Sequence, residues 1–127
     1  MFHKTLKRKA VRLFARNSAT GHWRYQRLTA VALVPLTVWQ ILFLASALNE
    51  PYLQTLSWLA NPVNSIAIMA WVVIVFYHAA LGVQVVLEDY ISCLSLRKRA
   101  IFAANGVFLV FGLTAVAAIL FTLYQVS

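Results

Sequence analysis

Phe76-Tyr77-His78-Ala79-Ala80-Leu81-Gly82-Val83-Gln84-Val85-Val86-Leu87-Glu88-Asp89-Tyr90 sets the reading of this chain. It is the second half of an apolar run with a histidine inside it and an acidic-aromatic cluster closing it. An ionisable group at bilayer depth costs a few kcal/mol at least, so a histidine there is a functional candidate by default. The run begins at Ser65 and reaches Leu87 without a charged residue. Two similar runs flank it, Leu28–Leu48 and Ile101–Tyr124. A hydrocarbon core about 30 Å thick needs roughly 20 helical residues, and each run supplies that. A lone apolar segment satisfies its backbone in lipid only as a helix. The expected fold is therefore an all-α membrane protein with three transmembrane helices, at about residues 28–48, 65–87 and 101–124. Pro35 lies early in the first span and is expected to kink it mildly, as membrane helices tolerate.

Composition agrees. The chain has 127 residues, 62% hydrophobic and 11% charged, where a soluble domain carries about 25% charged residues. One cysteine, Cys93, excludes an intrachain disulfide and any cysteine-built zinc or iron–sulfur cluster. A net charge of +8 would ordinarily suggest nucleic acid. Here it has a topological explanation, and nucleic acid is set aside. All 11 Lys and Arg residues fall before the first span or between the second and third. The segment between the first two spans, Asn49–Asn64, has Glu50, Pro51 and Pro62 but no cation. The positive-inside rule then places the N-terminus and the Arg97-Lys98-Arg99 loop in the cytoplasm, or the mitochondrial matrix, and the C-terminus on the opposite side. No internal repeat is visible, so a transporter fold is not expected.

Residues 1–26 form a basic segment ahead of a membrane domain at residues 27–127. Phe2, Leu6, Val11, Leu13 and Phe14 could make the apolar face of a short helix on an anionic leaflet. The same features suit an organellar transit peptide, and no signal-peptide pattern is read. The Asn17–Gly21 run is expected to break any helix before the first span.

His78 lies about 13 Å below the cytoplasmic edge of its span, near the midplane. Two readings stay open: a histidine hydrogen-bonded between helices, or a metal ligand, with heme iron the natural partner of a neutral imidazole. Gly82, one turn away on the same face, would leave room for a flat macrocycle. His22 precedes the first span and belongs at the surface. The two axial ligands of one iron sit only about 4 Å apart, so a heme on His78 would need its second ligand from another chain. Asp89 shares the face of His78, about 16 Å further along the axis. Glu88 and Asp89 oppose the macrodipole at a helix C-terminus, at about 0.3–1 kcal/mol each. Tyr90 could be an interfacial tyrosine or part of a site, and Arg27 a snorkelling anchor or a clamp for a heme propionate. Trp39, Trp58 and Trp71 read as packing or belt residues.

His78-x-x-x-Gly82-x-x-x-Val86-x-x-Asp89-Tyr90 resembles the second-helix motif of the small b-type cytochrome membrane anchors of succinate dehydrogenase, respiratory Complex II. Trp23-Arg24-Tyr25-Gln26-Arg27-Leu28-Thr29-Ala30, running into Val34-Pro35-Leu36-Thr37-Val38-Trp39, resembles the same family's approach to its first helix. Three spans, a cytoplasmic N-terminus and similar length extend the likeness over nearly the whole chain. The resemblance implies that His78 is an axial ligand of heme b, opposite a histidine of the complex's other membrane anchor. It implies that Tyr90 hydrogen-bonds a ubiquinone carbonyl beside the iron–sulfur subunit, with Asp89 close by. It places Arg27 near the heme propionates and the quinone pocket. The expected role is a membrane anchor in electron transport and the tricarboxylic acid cycle. It docks the iron–sulfur and flavoprotein subunits to a bacterial inner membrane, or less expectedly a mitochondrial one. The chain alone carries no flavin motif and is expected to catalyse nothing by itself. Ser92 departs from the pattern, since related members often carry histidine there, and no proton relay is carried over to it. An anchor of quinol:fumarate reductase, or a heme-free structural membrane protein with a polybasic arm, are the rival readings.

Overall fold

The computed structural model describes the backbone of residues 2–127 and the side chains from residue 21 onward. The face expected from Phe2, Leu6, Val11, Leu13 and Phe14 lies outside the described side chains. Four helices follow in order: α1 (Phe2–Ala47), α2 (Tyr52–Ala60), α3 (Pro62–Tyr90) and α4 (Leu94–Val126). Three of them have segments long and apolar enough to cross a membrane: Gly21–Ala47, Pro62–Tyr90 and Leu94–Val126.

The helices overrun the apolar runs that define them. α3 has 29 residues and α4 has 33. At 1.5 Å per residue each exceeds a core of about 30 Å, so their ends stand in the interfacial layers. Local chemistry explains the boundaries. Asn61 caps α3, its Oδ1 accepting from the Val63 N–H at 3.0 Å, and Pro62 fills the first turn, where a missing N–H costs nothing. α3 stops at Tyr90 because Ile91 turns to an extended conformation. Only residues 91–93 link it to α4.

Two expectations are corrected. Arg97, Lys98 and Arg99 are not in a loop but in the opening turns of α4. Nothing from Leu94 to Arg99 breaks a helix, so α4 begins as soon as the chain has turned. Arg97 there donates from Nη1 to the backbone oxygen of Glu88 at 3.4 Å, covering an otherwise orphaned carbonyl at the end of α3. Nor do residues 17–21 break the chain's first helix, since α1 continues through them. A single glycine costs only about 1 kcal/mol relative to alanine in a helix, and no proline is present.

α2 occupies the segment between the first two spans. Its Trp58 stacks on Phe43 of α1 with ring centroids 3.8 Å apart and meets Trp39 at 5.1 Å. The Asn64 amide donates to the Trp58 carbonyl at 2.9 Å, tying α2 to the start of α3. Trp39 and Trp58 are thus packing residues.

α3 is central and packs against both α1 and α4. On the α1 side, Trp71 Nε1 donates to Thr37 Oγ1 at 3.0 Å, and Thr29 Oγ1 meets His78 Nδ1 at 2.8 Å. The pairing runs antiparallel: moving along α1 from Thr29 to Thr37 moves back along α3 from His78 to Trp71. On the α4 side, Gly112 faces Phe76, and a Cβ there would lie at an ordinary contact distance of 3.7 Å. Phe76 also meets Phe108 at 6.5 Å. Among the described residues only Val72 and Leu81 are buried apolar side chains. Leu42, Val73, Leu109 and Phe121 stand exposed on the spans. A surface this apolar needs lipid or other chains against it.

The described cations Arg24, Arg27, Arg97, Lys98 and Arg99 all lie at one end of the three-span bundle, together with Glu88, Asp89 and Tyr90. Glu50 lies at the other.

Candidate functional site

His78 sits in the middle of α3, part-buried against α1. Its Nδ1 faces the Thr29 hydroxyl, which also reaches the backbone oxygens of Tyr25 at 2.7 Å and Gln26 at 3.1 Å. The opposite ring nitrogen, Nε2, has no hydrogen-bond partner among the described residues. Of the described histidines it is the one nearest the middle of the spans. His22 lies seven residues before Thr29 on the same helix, hence about 10 Å further along the axis than the partner of His78. It is exposed and, with Phe76, Tyr77, Gln84, Phe108 and Gly112, lines an apolar cavity of ≈ 560 Å³ against α3 and α4. Tyr77 lines that cavity and His78 does not, so this space adjoins the histidine's neighbour and not its ring. Among the described residues no three His, Cys, Asp or Glu side chains converge as a metal cluster would require.

Gly82 faces α1. The atom nearest to a Cβ built there is the Gln26 amide nitrogen at 3.5 Å. Gln26 of the neighbouring helix thus packs over this position at an ordinary contact distance. Gln26 Oε1 is buried without a hydrogen-bond partner, and so is Oε1 of Gln40, a residue 7% exposed further along α1. A buried amide oxygen left unpaired costs about 1–3 kcal/mol, so a donor supplied from outside the described residues would be stabilised beside Gly82.

Arg27 is not brought to His78. Two residues from Thr29, it points about 200° around the helix, where its guanidinium lies 5.3 Å from the Trp23 ring. It stands exposed with Trp23, Arg24 and Leu28 around a hollow on the outer face of α1. Asp89 and Tyr90 occupy the last positions of α3, and both are exposed. The Tyr90 side chain is 86% exposed, and its hydroxyl has no partner among the described residues. Glu88 accepts from Gln84 Nε2 at 2.9 Å. Cys93 opens α4, where the Leu96 N–H and then the Ser95 hydroxyl hold its thiol below the ordinary thiol range.

Sequence reasoning singled out neither Thr29 nor Gln40. Each is a polar residue within an apolar run, and that is the only signal the sequence carries. Which one meets a histidine depends on how α1 and α3 are registered.

The model of the succinate dehydrogenase/fumarate reductase transmembrane subunit family matches residues 3–123. A succinate dehydrogenase hydrophobic membrane anchor subunit of Rickettsia felis is 39% identical over 94 residues, which cover 73% of this chain and 78% of the relative. Its counterpart in Rickettsia bellii is 38% identical over 97 residues, 76% of this chain and 78% of the relative. A succinate dehydrogenase membrane anchor subunit of Reclinomonas americana is 28% identical over 97 residues, 74% and 81% of the two chains. No solved structure matches.

Proposed function

This chain belongs to the succinate dehydrogenase/fumarate reductase transmembrane subunit family, and we propose that it anchors a succinate:quinone oxidoreductase in a bacterial cytoplasmic membrane, sharing heme b with a second membrane anchor of the complex and contributing to the ubiquinone site. Its three apolar helices make it a multi-pass membrane protein. The relatives' names favour the succinate-oxidising direction over fumarate reduction.

One observation carries the heme reading: His78 stands at mid-depth with Nδ1 engaged by Thr29 and Nε2 without a partner among the described residues. A histidine serving only as an interhelical hydrogen bond would account for Nδ1 alone. These residues fit the group. His78 would bind the iron, and the distance of His22 along α1 leaves the second axial position to another chain. When bound, the heme supplies a one-electron store within the bilayer.

The other candidates serve the membrane surface. Glu88, Asp89 and Tyr90 emerge at the cationic end of the bundle, which the positive-inside rule assigns to the cytoplasm. The iron–sulfur and flavoprotein subunits would dock there. The Tyr90 hydroxyl is free to donate to a quinone carbonyl, and Asp89 beside it lies within reach of water as a source of protons. Arg27, turned away from His78, is placed to meet an acidic group of a neighbouring subunit on the outer face of α1, including a propionate held between chains.

A reduced-minus-oxidised spectrum of the purified complex tests this reading. A b-type band is expected in the native complex and in His22→Ala, and its loss or shift in His78→Ala. Absence of the band together with absence of a copurifying flavoprotein would identify a heme-free structural protein instead.

A further inference from the structure

We propose that Thr29 is a positioning residue that fixes His78 in the tautomer protonated at Nδ1 and so keeps the Nε2 lone pair available for heme iron. This rests on the heme reading above and adds a residue of the opposite helix to it.

The number of protons available at Thr29 decides which atom donates. The Thr29 hydroxyl has one proton to donate and lone pairs to accept. It lies 2.7 Å from the Tyr25 carbonyl oxygen, 3.1 Å from that of Gln26 and 2.8 Å from His78 Nδ1. Both carbonyls only accept. The shortest contact, to Tyr25, takes the hydroxyl proton in the usual back-bond to the preceding turn. If the hydroxyl donated to His78 instead, its oxygen would confront two carbonyl oxygens with no proton between them. Nδ1 is therefore the donor toward Oγ1. A neutral imidazole protonated at Nδ1 carries its lone pair at Nε2, the nitrogen without a partner among the described residues.

Two properties make threonine suited to this. Its β-branch restricts χ1 in a helix, and the back-bond to Tyr25 holds the oxygen in place. A hydrogen bond from the far nitrogen of a ligating histidine orients the ring and raises its basicity, and loss of such a partner typically costs about 10–100-fold in metal affinity. The sequence reading assigned Thr29 no role, because it became visible only when α1 and α3 were packed in register.

The test uses the assembled complex with Thr29→Val, Thr29→Ser and His78→Ala. Valine keeps the branched shape and removes the oxygen; serine keeps the oxygen. Two readouts are taken: the rate of heme transfer to excess apomyoglobin, and the low-spin EPR spectrum of the oxidised heme, which reports ring orientation and ligand strength. Thr29→Val should release heme about 10–100-fold faster with altered g values, and Thr29→Ser should stay near wild type on both. Wild-type release and g values in Thr29→Val, with the b band lost in His78→Ala, overturn the role of Thr29 and leave the heme reading standing. A wild-type spectrum in His78→Ala overturns the heme reading itself. If Thr29→Val does not assemble, Thr29→Ala is compared with Thr29→Ser. Equal behaviour overturns the proposal, and retention by serine alone supports it.

Discussion

Replacing Tyr90 by phenylalanine deletes one hydroxyl and nothing else. The side chain is 86% exposed at the last position of α3, and its oxygen has no partner among the described residues. Its removal therefore leaves no buried group unpaired, and the fold should be affected by less than about 0.5 kcal/mol, as for other surface changes. Any larger effect must come from something the hydroxyl meets outside this chain. A neutral hydrogen bond to a quinone carbonyl is worth about 0.5–1.5 kcal/mol, roughly a two- to twelvefold change in quinone binding. A hydroxyl that acts mainly on the developing charge of the reduced quinone would give a larger loss in rate, because only differential stabilisation changes the chemical step. The assay is succinate-driven ubiquinone reduction by the purified complex. Two controls accompany it: the heme band, and succinate oxidation by an artificial acceptor that takes electrons upstream of the anchor. Quinone reduction should fall while both controls hold. Unchanged quinone kinetics would falsify the assignment of Tyr90 to the quinone site and return it to the interfacial belt. A loss shared by all three measurements would point instead to failed docking of the soluble subunits.

Trp71→Phe removes the donor to Thr37 across α1 and α3; interhelical hydrogen bonds in membranes average about 0.6 kcal/mol with a maximum near 1.7, so detergent-induced dissociation should shift modestly and the heme band should persist. Gly112→Ala should be tolerated, since its Cβ would sit at an ordinary 3.7 Å from Phe76, whereas Gly112→Leu should force α3 and α4 apart and lower the yield of assembled complex. Cys93, the sole cysteine, should react in oriented vesicles with an impermeant maleimide from the cytoplasmic side, while a reporter fused after Ser127 should be active only on the other side; the reverse pattern sinks the proposed orientation. Because hydrogen bonds from Leu96 and Ser95 favour the thiolate, alkylation of Cys93 should rise with pH at a lower midpoint than an unstructured thiol shows, and Ser95→Ala should move that midpoint up.

The acceptance of Arg97–Arg99 into α4 and of Asn17–Gly21 into α1 shows where local reading reaches its limit. Apolar length and charge asymmetry mark where a helix lies in a bilayer, but they do not mark where it ends. A helix continues past its apolar run until a residue such as Ile91 leaves helical geometry, and that is decided by capping and by neighbours such as the Arg97 that covers Glu88.

What the sequence determined by itself was carried by interactions local along the chain. Three uninterrupted apolar runs require helices in lipid, eleven cations at one end bias the orientation, and the spacing of His78, Gly82, Asp89 and Tyr90 along one helix marks the family. Those features survive any arrangement of the helices, because they depend on rise per residue and on transfer from water. The tertiary structure alone decided which residues of α1 meet α3. Gln26, Arg27 and Thr29 are near neighbours in sequence and equally polar in a reading of periodicity. Packing turned Thr29 to His78 and Gln26 to Gly82, and left Arg27 over Trp23 on the far side. The rotation of one helix about its axis, and its slide against another, are set by side chains interlocking across the interface. No period within either helix encodes that register.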